Sequence, residues 1–203
     1  MTEREKMLAG KLYDSSDKEL AEARLYARQK TREYNRTEVD EQEKRDRIIK
    51  ELLGHAGENL FMEPDIRFDY GRNTYIGDNC YFNYNCMILD VGEVRIGDHV
   101  MVGPNVSILT PMHPLLASER NMRTDADGRN YVLEYCKSIT IGDNVWIGGN
   151  VTINGGVTIG SGCVIGSGSV VTRDIPPGVI AAGVPCKVIR EITEEDSVED
   201  KLR

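Results

Sequence analysis

Residues 139–171 read ITIGDNVWIGGNVTINGGVTIGSGCVIGSGSVV. Within them Ile141, Ile147, Ile153, Ile159, Ile165 and Val171 recur every six residues without a slip. Two positions before each of the last five stands Val145, Val151, Val157, Cys163 or Ser169. Each unit therefore reads as a three-residue strand whose two ends face the same side. Gly142-Asp-Asn, Gly148-Gly-Asn, Asn154-Gly-Gly, Gly160-Ser-Gly and Gly166-Ser-Gly lie between the strands. Gly and Asn tolerate the positive φ of a tight corner, so these triplets are turns. A coil that turns every six residues generates this pattern automatically, whereas a sheet of hairpins would have longer strands and no constant step. The fold class is mainly β, a solenoid.

The same register runs earlier through Ile76, Phe82, Ile88, Ile96, Val102 and Ile108. Five residues instead of three separate Ile88 from Val94, so one corner bulges by two residues. Middle residues of the strands point outward, which assigns Tyr75, Tyr81, Met87, Arg95, Met101 and Ser107 to the surface and makes 113 the next outward position. His113 falls there, between Pro111 and Pro114, which cannot donate to a strand ladder. From about Leu115 to Lys137 the step is lost, and the segment reads as a long loop thrown out from the coil.

The 203 residues allow one sizeable core with an appendage. No apolar run approaches the ~20 residues of a membrane span, and the charged N-terminus does not read as a secretory signal. A net charge of -8 without a basic cluster argues against nucleic acid as a partner. Five cysteines with no CxxC pair suggest neither a disulfide framework nor a zinc knuckle, and fit reduced thiols in a cytoplasm. Residues 1–57 are highly charged and poor in glycine. There Ser16-x-x-Glu19 predicts a capped helix through about Tyr34, and Thr37 a second one ending near Leu53-Gly54. Leu20, Leu25, Tyr26 and Tyr34, then Ile48, Ile49, Leu52 and Leu53, supply thin apolar stripes that need a larger body to lean on. Residues 193–203 read as a frayed acidic tail.

Several motifs together carry a family resemblance: TEREKMLAGKLYD, GHAGEN, NYNCMILD, TPMHP, ITIGDNVWIGGNVTINGGVTIG and DIPPGVIAAGVPCKVIREI. The chain resembles the maltose/galactoside O-acetyltransferases over nearly all of residues 3–192. The resemblance implies an N-terminal helical segment over 1–57, then a left-handed parallel β-helix with three strands per coil over 58–192, interrupted by a loop at about 112–138. It also implies a homotrimer with sites between subunits, using acetyl-CoA and a sugar acceptor and requiring no metal. With three strands per coil, Trp146 and Val164, eighteen residues apart, stack on one outer face, which marks an interface or ligand groove rather than isolated apolar residues.

By the same resemblance His113 matches the catalytic base and Asn83 the residue that stabilises the transition state and touches the sugar. Gly149, Ser167, Thr172, Lys187 and Arg190 match CoA-contacting positions. Ser15 and Asp69 match acceptor-contacting positions, although Ser15 stands where a family member has Asp, with Asp14 and Asp17 nearby. Val91 likewise replaces a polar residue, and Glu134 is a candidate to orient His113. The competing reading of His113 is a surface histidine that merely ends the ladder. His99 sits in a corner where Asn is the usual occupant, and His55 lies outside the coil. A zinc-dependent carbonic anhydrase would need three converging imidazoles, and the chain has only three histidines. A non-sugar acceptor, or a non-catalytic sugar-binding or assembly module, remains a rival reading.

Overall fold

The computed structural model describes residues 1–202. Three parallel sheets form the sides of a prism, and the chain visits them in the order face I, face II, face III in each coil. Face I stacks His55–Ala56, Thr74–Ile76, Val94–Ile96, Ile139–Ile141 and Thr158–Ile159. Face II stacks Phe61–Met62, Tyr81–Phe82, Met101–Val102, Trp146–Ile147, Val164–Ile165 and Val179–Ala182, closed by an antiparallel strand at Lys187–Glu191. Face III stacks Arg67–Phe68, Met87–Leu89, Ser107–Leu109, Thr152–Asn154 and Val170–Val171. The predicted six-residue positions all point inward: Ile76, Phe82, Ile88, Ile96, Val102, Ile108 and their successors from Ile141 to Val171 are buried in one core. The coil begins one turn earlier than the repeat is legible. His55 belongs to its first strand, paired with Tyr75, rather than lying outside.

The Gly-Asp-Asn triplet is explained on the edge between faces I and II. Asp143 Oδ1 accepts the Asp98 N–H at 2.9 Å, Asp98 Oδ1 accepts the Asp78 N–H at 2.8 Å, and Asp78 Oδ1 accepts the Glu58 N–H at 2.7 Å. Each side chain thus holds the rung below it, satisfying corner amides that no strand reaches. The preceding residue must be glycine because the next rung passes there: a Cβ on Gly142 would lie 2.5 Å from Ser161 Oγ. The third position is left-handed, with φ of 57° at Asn79, 56° at His99 and 55° at Asn144. His99 therefore fills an Asn corner, as expected.

The N-terminal segment departs from the reading in its helix starts. An additional helix α1, Glu3–Leu8, opens on a capping box in which Thr2 and Glu5 exchange side-chain bonds with each other's backbone N–H. Helix α2, Lys18–Tyr34, starts at Asp17 and not Ser16, because the Asp17 carboxylate accepts from both Glu19 and Leu20 N–H. Helix α3, Gln42–Leu52, follows Glu41 rather than Thr37. Thr37 instead finishes α2, donating to the Tyr34 carbonyl and accepting Arg45 Nε. Leu20, Ala27, Thr31 and Tyr34 form the buried face of α2, whereas Leu25 and Tyr26 are exposed, correcting the expected stripe. Asn35 clamps the end of α2 to the coil: its Nδ2 donates to the Ile66 carbonyl at 2.9 Å and its Oδ1 accepts the Ile66 N–H at 3.0 Å.

The tail is also anchored rather than frayed through Asp196. Residues Glu194–Asp196 form a 3-10 turn, and the Asp196 carboxylate grips Arg190 at 2.6 and 2.7 Å. That pairing holds the Asp196 carboxyl far below the usual range, together with the Thr193 N–H that it accepts. Among the described residues no helix is long and apolar enough to cross a membrane.

Candidate active site

The ladder does break at TPMHP, but His113 is not where counting places it. After Thr110 the chain leaves the coil, and Pro111–Met112 pairs antiparallel with Tyr135–Cys136 in the returning strand Leu133–Cys136. The outward place beside Arg95 that position 113 was expected to fill is taken by Thr140. The reason is that a strand resuming after a long loop closes the stack as well as one that continues directly. In the antiparallel register, one further step sets position 113 opposite Glu134. His113 is exposed, and its imidazole makes no hydrogen bond among the described residues.

Leu133–Cys136 also pairs on its other side with Tyr13–Asp14 from the N-terminal segment. This three-strand flap is pinned by Tyr13 Oη donating to Glu134 Oε2 at 2.9 Å and by Arg129 to Asp14 at 2.7 Å. Glu134 is therefore committed to Tyr13, and no bond joins it to His113. Burial and the neighbouring Glu134 charge push the Tyr13 phenol well above its ordinary range, so it stays a donor.

Beneath the flap lies a cleft of about 220 Å3 at the edge between faces III and I, lined by Ser15, Asp69, Val91 and Glu134 together with Tyr13, Tyr70, Arg24 and Arg28. Four chain segments far apart in sequence meet here, and they bring together all the positions that the sequence marked for the acceptor except Asn83. Burial raises the Asp69 carboxyl above its usual range, and the Arg28 and Arg24 charges oppose that rise. Arg24 fixes the wall by donating to Tyr70 Oη and to the Ser15 carbonyl, both at 2.6 Å. Two carboxyl groups and the Ser15 hydroxyl around a small cavity suit a ligand rich in O–H donors. His113 stands outside this lining.

The floor is stiffened by the two-residue bulge. Asp90 is fully buried in it, accepting the Tyr70 N–H at 2.8 Å and the Asn73 N–H at 3.2 Å. Burial lifts its carboxyl to about 6 despite those bonds. Thr110, at the point of departure, bridges the bulge by accepting Gly92 N–H at 2.8 Å and donating to the Leu89 carbonyl at 2.7 Å. Asp90 ends NYNCMILD and Thr110 opens TPMHP, but nothing in those motifs told their structural roles, which depend on residues one coil away.

A second set of expected residues lies on a different edge, between faces II and III. Its corners stack through Asn105 N to Tyr84 O, Asn150 N to Pro104 O and Gly168 N to Gly149 O, which aligns Gly149 and Ser167 with Tyr84 and Pro104 and leaves Asn83 on the same edge, one residue before that line. Asn83 Oδ1 accepts the Tyr84 N–H at 2.8 Å, so the Nδ2 donors are directed away from the chain's own backbone. Thr172 falls instead on the edge between faces III and I, just after Val170–Val171. Lys187 and Arg190 lie on the closing strand, with Arg190 already held by Asp196. Face II between the edges carries an in-register column of Phe61, Tyr81, Met101, Trp146, Val164 and Ile180. Met101 and Trp146 in that column are each 56% exposed.

The maltose acetyltransferase hexapeptide capping motif matches residues 6–57, and the bacterial transferase hexapeptide, six repeats, matches residues 138–173. The chain is 45% identical to a galactoside O-acetyltransferase of Escherichia coli, over 97% of this chain and 91% of that protein. It belongs to the maltose/galactoside O-acetyltransferase family. Among solved structures, a maltose O-acetyltransferase from Clostridium difficile 630 superposes on this acetyltransferase with a TM-score of 0.89 at 49% identity, covering 96% of this chain and 99% of that one. A galactoside acetyltransferase in complex with coenzyme A superposes with a TM-score of 0.88 at 46% identity, covering 97% and 94%. At these coverages the match extends over nearly the whole chain, beyond the coil alone.

Proposed function

We propose that the chain transfers the acetyl group of acetyl-CoA to a sugar hydroxyl, at a site completed by the neighbouring subunit of a homotrimer. The observation that carries this reading is the separation of the expected residues onto two edges of one prism. His113 and the acceptor cleft accompany the edge between faces III and I, while Asn83, Gly149 and Ser167 follow the edge between faces II and III. A cyclic trimer brings unlike edges of neighbouring subunits together, and covers the apolar column of face II.

In the reaction His113 takes the proton of the acceptor hydroxyl, whose oxygen attacks the thioester carbonyl. The tetrahedral oxyanion accepts a hydrogen bond from Asn83 Nδ2. Collapse then breaks the C–S bond, and the CoA thiolate recovers the proton from the imidazolium. Ser15, Asp69 and Glu134 hold the other hydroxyls of the sugar. CoA extends along Gly149 and Ser167, Thr172 contributes from the other edge, and Lys187 and Arg190 meet its phosphates once Arg190 exchanges Asp196 for them. Five buried free thiols accord with a reducing cytoplasm.

Subunit mixing tests the arrangement. His113→Ala and Asn83→Ala proteins are each expected to lose thiol release from acetyl-CoA with maltose, glucose or a galactoside. Denatured and refolded together in equal amounts, they should regain about one site in four, because a shared site needs one intact edge from each subunit. No recovery from a well-folded mixture would place both groups in one subunit or remove one of them from the reaction.

A further inference from the structure

A groove of about 600 Å3 lies between α2 and face III, beside the acceptor cleft. The two adjoin, since Arg28 and Asp69 line both. Arg28, Arg32, Arg36 and Arg67 surround the groove, and the outward side chains of Met87 and Leu89 lie in its floor. Among the described residues none of these four guanidinium groups makes a hydrogen bond or a salt bridge. Arg47, Arg72 and Arg173 likewise make no such bond, so what sets these four apart is that they gather around one groove, in a chain of net charge -8. Two carboxyl groups face the groove, Asp65 and the shared Asp69.

Stability does not account for this arrangement. Arg28, Arg32 and Arg36 follow one another at steps of four, so they share one side of α2 and its exit. Like charges at that spacing weaken a helix, and only Arg32, in the last turn, gains from the helix dipole. At 1.5 Å per residue the three form a rail about 12 Å long, starting at the acceptor cleft. The Asn35 clamp on Ile66 fixes the end of α2 against the coil, so the backbone that carries these side chains is positioned before any ligand arrives.

We infer that this groove is an extension of the acceptor site that binds a negatively charged substituent, a carboxylate or phosphate carried on an apolar or saccharide spacer beyond the sugar that is acetylated. The inference rests on the sugar O-acetyltransferase reading and narrows it: the preferred acceptor is an anionic glycoside rather than a neutral one. Met87 and Leu89 take the spacer, and the guanidinium forks take the anion.

The test compares phenyl β-glucoside with 4-carboxyphenyl β-glucoside, and glucose with glucose 1-phosphate, by thiol release and by calorimetric binding to the CoA-loaded protein. At least one anionic member should exceed its neutral partner by about tenfold or more in kcat/KM or affinity, and the pair that does so identifies the anion. Arg32→Gln combined with Arg67→Gln should abolish that preference while leaving the neutral acceptor within about twofold. Arg36→Gln serves as an independent variant, and melting curves verify that each is folded. Equal use and equal binding of both members in both pairs would overturn the groove and leave sugar acetylation standing. A preference that survives in both variants would also overturn it. Absence of thiol release with every sugar would sink the acetyltransferase reading instead, while the binding comparison would still decide the groove.

Discussion

Replacing Asn83 by Asp is the sharpest single test of the proposed chemistry, because the shape of the side chain is preserved and only its hydrogen-bonding sense changes. Asn83 sits on the edge between faces II and III, with its own N–H bonded to the Val102 carbonyl at 2.9 Å. Its Oδ1 accepts from Tyr84 N at 2.8 Å, which an aspartate oxygen does equally well, so the corner should keep its fold. What disappears is the Nδ2 donor. Loss of one preorganised oxyanion donor costs about 2.7–4 kcal/mol, or 10²–10³ in kcat. A carboxylate adds repulsion of the developing oxyanion, about 4 kcal/mol for unit charges 4 Å apart at an effective dielectric of 20, the upper end of what this edge can supply. Asn83→Asp should therefore fall below Asn83→Ala, itself down at least about 100-fold. KM for acetyl-CoA should stay within a few-fold, since the lost contact is made chiefly in the transition state. Steady-state thiol release over a range of acceptor concentrations measures both, with circular dichroism to verify folding. If Asn83→Asp kept more than a tenth of wild-type kcat, Asn83 would not stabilise the oxyanion.

Two further predictions concern the scaffold. Asp90, lifted to about 6 from an ordinary 3.8, binds its proton more tightly folded than unfolded. Its contribution is fully present below the unfolded value and is lost as pH rises from about 4 to about 6. The stability of wild type relative to Asp90→Asn should shrink across that window in urea titrations, and a pH-independent difference would mean that the carboxyl does not titrate there. His99→Asn should raise stability by about 0.5 kcal/mol, because Asn tolerates the left-handed corner at φ 56° better than His. A melting point unchanged or lowered would show that the imidazole contributes something at this corner that its backbone does not reveal.

The sequence determined the coil, because every corner of a parallel β-helix imposes the same local demands. An inward aliphatic every six residues, a glycine where the next rung passes and a left-handed Asn can all be read from neighbours a few positions apart. It also announced His113 and Asn83 through motifs. It misplaced His113 because counting through TPMHP assumes that the ladder continues, and nothing local says that Thr140 rather than position 113 completes face I. Helix starts were misread for a similar reason: Ser16, Asp17, Thr37 and Glu41 are all capable caps, and packing selects among them. What only the tertiary structure decided are the relations across distant segments. The Tyr13–Glu134 bond, the cleft that joins Ser15, Asp69 and Val91, the division of the expected residues between two edges, and the arginine groove all depend on how α2 and the flap rest on the coil. Local periodicity carries no information about such docking, because it is settled by shape, burial and charge between surfaces that the chain brings together only when folded.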